Sequence, residues 1–239
     1  KRIEESGLKA AVLTDHDSVD GVERFISLCH KFGIDTMTGI EVSSTHHRLL
    51  SRQNLWKTEL HILGYGYNLE TLSKNNELLY HNQVIRNHHV EAMIMKYRAN
   101  REFMISFVEL TKQFDIPWPL TSKYWLIKSR TLDILKTEDM DFAQARANAT
   151  REIANGGPFY IERGNYISPK EAIELITSHN GIAVWAHPLI YFHRLEKSFG
   201  KKAEAIFEET LEQLIGYGLY GLEIYTKHHT ARDRRFLLG

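Results

Sequence analysis

The sequence predicts an α/β protein whose strand–helix alternation is interrupted by a long helical stretch. Apolar runs of strand length alternate with amphipathic segments over residues 1–68 and again over residues 166–239. Between them, residues 69–165 carry helical periodicity and no strand alternation. Histidines and carboxylates recur where the apolar runs end. The domain expectation is an α/β domain built from 1–68 and 166–239, with 69–165 as a helical insertion.

The elements follow in order. "LKAAVLTD" is a short apolar run, expected as a buried strand. Val22, Phe25, Ile26 and Leu28 mark an amphipathic helix that stops at Gly33. Asp17 and Asp20 have capping-box spacing ahead of it. "IDTMTGIEVSS" and "ELHILGYGYN" are the next strands, and strand, helix, strand with short connections implies parallel strands. His46 and His47 fall between them in "SSTHHRLLSRQNLWKTE", expected as a long loop over the site. The insertion opens with a long polar helix, on whose polar face His88 and His89 are expected. In "SPKEAIELITSHNG", Ser168 caps a helix, Pro169 takes its first position and Glu171 closes the capping box. "IAVWAHP" is a buried strand, "KAEAIFEETLEQLIGYG" a helix and "LYGLEIYTKHH" a last strand.

The totals narrow the function classes. With 239 residues the chain can bury a sizeable core, and 30 basic residues balance 30 acidic ones. Zero net charge fits a small nucleotide or a short single-stranded nucleic-acid end better than a long duplex. Cys29 is the one cysteine, which excludes an internal disulfide and a cysteine-based zinc cage. A reducing, cytoplasmic location is expected. No run approaches the roughly 18 apolar residues that cross a bilayer, so no membrane partner is expected.

The 13 histidines are the unusual count. His16 lies past the first strand, Glu41 ends "TMTGIE", His61 lies in "LHILGY" and His187 ends "IAVWAH"; His228 and His229 end the last strand. In a parallel α/β fold the carboxyl ends of strands converge on one rim, where residues distant in sequence meet. Three imidazoles and a carboxylate there suit Zn²⁺, Mn²⁺ or Fe²⁺, and a carboxylate can bridge two ions of a hydrolase.

"LTDHDSVDG", "GIEVSS", "LHILGY", "AVWAHP" and "GLEIY" followed by His together resemble the polymerase and histidinol phosphatase (PHP) superfamily, over Leu8 to Tyr67 and Ile167 to Thr230. The resemblance implies a distorted seven-stranded (β/α) barrel holding two or three divalent ions, manganese, zinc or iron. It implies hydrolysis of phosphate esters by metal-activated water. The helical insertion resembles the branch acting on nucleoside monophosphates and oligonucleotide ends, so a nucleotide phosphatase or 5′–3′ exoribonuclease is expected. Carried over residue by residue, His16, Glu41, His61 and His187 become metal ligands, with Glu41 bridging. Asp15 and Asp17 would orient the His16 ring or its strand end. His229 would face the substrate phosphate or protonate the leaving group, beside Glu41 as the other catalytic residue. Arg163, in "PFYIERG", would clamp phosphate.

The chain departs from the family at three places. The family opens with His-x-His followed by Asp and closes with Asp-x-His, and neither element stands between Lys1 and Gly239. Both ends read as cut from a longer protein, so the expected barrel is truncated at both. The family's Arg-Pro-His element corresponds to "DIPWPLTSKYWLIKS", which has no histidine. The alternative expectation is a degenerate barrel that binds a nucleotide or partner without turnover.

Overall fold

The computed structural model describes residues 7–51, 54–74, 77–117, 120–154, 156–227 and 229–238. His228 and the helix end expected at Lys1 to Ser6 lie outside them. The chain divides into two compact units, one of residues 1–79 with 166–239, the other of residues 80–165.

The first unit is built on a mixed four-stranded sheet of order β1-β2-β3-β4. The run 8–15 forms no ladder. It lies extended beside the segment that enters β1, tied by parallel bridges Ala10–Asp35 and His16–Glu41. Helix α1 (Val22–Lys31) separates it from β1 (Gly39–Ser51). β2 (Asn54–Tyr65) then pairs with β1 antiparallel, from Gly39 opposite Tyr65 to Ser51 opposite Asn54. This corrects two expectations. The pairing is not parallel, and His46 and His47 are not in a loop but in the ladder, opposite Thr58 and Lys57. The polar composition around His46 and His47 hid a strand pair because its ladder is made by backbone groups rather than by an apolar face.

After α2 (Leu69–Lys74), the unit resumes with α7 (Pro169–Thr177), β3 (Ile182–Trp185), α8 (Pro188–Phe199), α9 (Ala203–Gly216), β4 (Gly221–Leu222) and α10 (Ala231–Leu238). The capping box read from the sequence is present: Ser168 Oγ accepts from Glu171 N–H, and the Glu171 carboxylate accepts from Ser168 N–H. β3 pairs antiparallel with β2 and parallel with β4. One sheet face carries Ile40, Val42, Leu60 and Ile62, all buried against Ile173 and Ile176 of α7. Gly64 lets α7 approach: a Cβ there would come within 2.9 Å of Ile176 and Ile40 side chains.

The second unit is helical. It contains most of α3 (Glu77–Ala99), with α4 (Phe107–Gln113), α5 (Lys123–Thr137) and α6 (Phe142–Ile153). Its core gathers Val90, Met93, Tyr97, Leu110, Leu126 and Ile153. His89 is not on a solvated face: its Nε2 lies 2.8 Å from the Ile161 carbonyl. No helix among the described residues is long and apolar enough to cross a membrane.

Candidate metal centre

Strand alternation positions the first two site residues. Ile40 and Val42 enter the core, which turns Glu41 and Ser43 to the opposite face. On β2, Leu60 and Ile62 enter the core and His61 faces the other way. Ser43 pairs with His61 and Glu41 with Leu63, so Glu41 and His61 are diagonal neighbours on one face. His61 Nδ1 lies 2.8 Å from Glu41 Oε1.

His16 arrives from the extended run, its Nδ1 3.8 Å from the same oxygen. Its neighbours fix it there. Asp17 adopts a left-handed backbone, φ 53°, and its N–H donates to the Glu41 carbonyl at 2.9 Å. The buried Asp17 carboxylate accepts from the Ser43 N–H at 2.7 Å. Asp15 contributes its carbonyl, which accepts from Glu41 N–H at 3.1 Å, while burial pushes its carboxyl pKa up. The Asp17 carboxylate thus ties the His16 segment to β1.

His187 follows the end of β3. The Ala186 N–H donates to the His61 carbonyl at 2.9 Å, extending the β2–β3 pairing up to it. His187 Nε2 lies 3.3 Å from Glu41 Oε1 and 3.2 Å from His61 Nδ1. Burial alone would raise the Glu41 pKa. Hydrogen bonds with His187 and His61, and the charges of His16 and His61, outweigh it and hold the carboxyl well below the usual range.

Donors bound at 2.0–2.1 Å around a tetrahedral ion stand about 3.3 Å apart. The three separations from Glu41 Oε1 and that between His61 and His187 run from 2.8 to 3.8 Å. Two imidazole nitrogens 3.2 Å apart cannot both carry a hydrogen without conflict, so at least one presents a lone pair. His16, Glu41 and His61 have ligand atoms all within 4.8 Å of one another, a grouping that could hold a metal ion, and His187 borders it through Glu41 and His61.

A cavity of about 460 Å³ opens over this cluster, lined also by Glu59, Glu223, Arg194 and Lys227. The sequence reading missed these four. Glu59 stands two residues before His61 on the same strand face, its Oε2 3.7 Å from His61 Nε2; the alternation of "ELH" carries that signal. Glu223 accepts from the His187 backbone N–H at 2.7 Å. Arg194 sits two turns along α8 from His187 and donates to Thr58 Oγ1 at 2.8 Å.

The structure separates one expected residue, His229, from the cluster. His229 is buried and outside the cavity lining, its Nδ1 3.0 Å from the Ile224 carbonyl, so its ring is not turned to a substrate in the cavity. Arg163 belongs to the second unit.

An imidazole–carboxylate cluster that could hold a metal ion, on a mixed α/β sheet, points to a metal-binding class. The chain belongs to the PHP domain family, which matches residues 1–163. No curated protein matches the sequence. The fold is similar to a candidate metal-dependent phosphoesterase from Bifidobacterium adolescentis, with a TM-score of 0.72 at 18% identity over 99% of this chain and 74% of that one. It is also similar to an amidohydrolase from Chromobacterium violaceum, solved with sulfate and no metal, with a TM-score of 0.73 at 19% identity over 98% and 73%.

Proposed function

We propose that the protein is a metal-dependent phosphoesterase acting on nucleotide phosphates or short oligonucleotide ends. The observation that carries this reading is the gathering of three imidazole nitrogens 2.8, 3.3 and 3.8 Å from one Glu41 oxygen. Family membership supports it, and so do two cations among the residues that line the cavity. Arg194 and Lys227 line it, and among the described residues neither has a carboxylate within ion-pair distance. A phosphate oxygen matches a guanidinium fork and an ammonium.

Bound at this site, divalent metal supplies Lewis acidity and a water of lowered pKa as nucleophile. The chain supplies the rest. His16, His61 and His187 would hold the metal through ring nitrogens and Glu41 through its carboxylate. Arg194 and Lys227 receive the phosphate charge. The four-stranded sheet is read as part of the family's seven-stranded barrel, and the nucleotide branch as its place in the family. Manganese, zinc and iron all suit this donor set.

The test is metal analysis of the full-length protein together with phosphate release from nucleoside monophosphates by wild type, Glu41→Gln and His187→Ala. We expect two or three bound ions and a loss of about 10³-fold or more in kcat for Glu41→Gln. A folded wild type that holds no metal points instead to a binding module without turnover. Wild-type rates in both variants remove the proposed site.

A further inference from the structure

We infer that Glu223 is a positioning residue that clamps the backbone of His187 and so aims its imidazole at the metal centre. The inference rests on the metal-site reading above and adds a residue to it.

His187 occupies an unusual place. It is the N-cap of α8, where a side chain ordinarily turns back to accept a backbone N–H of the first turn. The His187 side chain makes no such cap bond, and it lies against Glu41 and His61 instead. Its backbone is left-handed, φ 35° and ψ 54°, a conformation that costs a non-glycine residue about 1–3 kcal/mol and persists only when the surroundings over-determine it.

The helix also lacks the reciprocal partner found elsewhere in the chain. In α4, α6 and α7, the N3 position holds Glu109, Gln144 and Glu171, whose side chains accept from the N-cap N–H. In α8 that position is Ile190, which lines the cavity. Glu223 supplies the missing half from the neighbouring strand. Its backbone N–H donates to the Trp185 carbonyl at 2.9 Å, and its carboxylate accepts from His187 N–H at 2.7 Å. One residue therefore grips the bend at both sides, while Ala186 N–H holds it to His61 from β2. A carboxylate at this helix N-terminus is also favourably placed in the helix dipole. The consequence is a division of labour: Glu223 performs the backbone duty, and the imidazole is released for ligation.

The experiment compares Glu223→Ala and Glu223→Gln with wild type. Co²⁺ binding is followed by calorimetry and visible absorption, and amide exchange at His187 is read separately without metal. Glutamine retains an oxygen that accepts the same N–H. We expect Glu223→Ala to weaken Co²⁺ binding by about 10–100-fold, alter the Co²⁺ bands and speed exchange at His187. Glu223→Gln should stay within about threefold of wild type. Equal losses in both variants would show that the carboxylate charge is what matters and overturn the clamp. Unchanged exchange at His187 in Glu223→Ala overturns it as well. A wild type that binds no Co²⁺ removes the metal reading, whereas the exchange measurement still decides whether Glu223 holds the bend.

Discussion

Each unit contains a cluster of polar groups, and the two are completed in different ways. In the second unit, Arg130 is 7% exposed, and its guanidinium bonds both Glu152 oxygens at 3.0 and 3.2 Å and Asp133 at 2.6 Å. Tyr97 donates to the same Glu152 at 2.7 Å. Every strong donor there meets an acceptor of opposite charge, so the cluster is finished without a ligand. In the first unit, three imidazoles crowd one carboxylate oxygen, with two ring nitrogens 3.2 Å apart. Neutral rings cannot place hydrogens on both of those nitrogens, so at least one turns a lone pair toward the other. A self-complete ion network reads as structural, and a cluster left with an unmatched lone pair suits a cation.

The contrast breaks first at Arg130. Its removal strands two carboxylates in a buried network, and breaking such a pair costs about 3–5 kcal/mol. Arg130→Met should destabilise the second unit by about 3 kcal/mol, near the lower bound because the Asp133 side chain is 32% exposed. Arg130→Met with Glu152→Met should recover part of that loss. Exchange protection of α5 and α6 peptides measures both. Equal stability of wild type and the single variant would remove the distinction between the clusters.

Metal sharpens the contrast next. A ligand at 100 to 1,000 times its Kd stabilises the state that binds it by about 2.7–4.1 kcal/mol. Adding Mn²⁺ or Zn²⁺ should raise exchange protection in peptides covering His16, β1, β2 and His187. The Arg130 network should gain none directly. Chelation should reverse the effect. Protection gained equally around Arg130, or nowhere, counts against the reading of the first cluster.

The sequence exposed the members of the imidazole–carboxylate cluster more clearly than the frame that gathers them. His16, Glu41, His61 and His187 all stand where apolar runs end or alternate, and the structure brings all four together. The expected mechanism of gathering, a rim of parallel strand ends, is not what the described strands show. Glu41 lies near the beginning of β1, and the antiparallel register with β2 sets it diagonal to His61. Composition could not reveal that register, because the stretch around His46 and His47 is polar and resembles a loop. Glu223 was visible in "GLEIY" only as a strand residue. Its role depends on the left-handed turn at His187, which no local propensity announces for a histidine followed by proline. The second unit's helices were legible as helices, but its Arg130 network joins positions whose pairing only packing decides.

The smallest effect sets the two units side by side through their half-buried histidines. His46 in β1 packs against Tyr191, with ring centroids 5.8 Å apart, and burial pushes its pKa below the ordinary 6.5, helped by Arg48 and His47. His89 in α3 is likewise lowered from 6.5, by burial first, with Lys123 and Arg86 adding to it and the bond to the Ile161 carbonyl opposing it. In both, the unfolded chain takes up a proton at a higher pH than the folded chain does. Stability from these groups is therefore complete above about pH 6.5 and falls as acid approaches each lowered folded value. Carboxylates also titrate in this range, so the informative quantity is the difference from His46→Gln and His89→Gln. Each glutamine variant should show a shallower loss of stability between pH 7 and pH 5 than wild type, read by exchange at β1 for His46 and at α3 for His89. Parallel curves for wild type and variant would mean that the ring is protonated without cost, and that its burial is not what shapes the acid response of that unit.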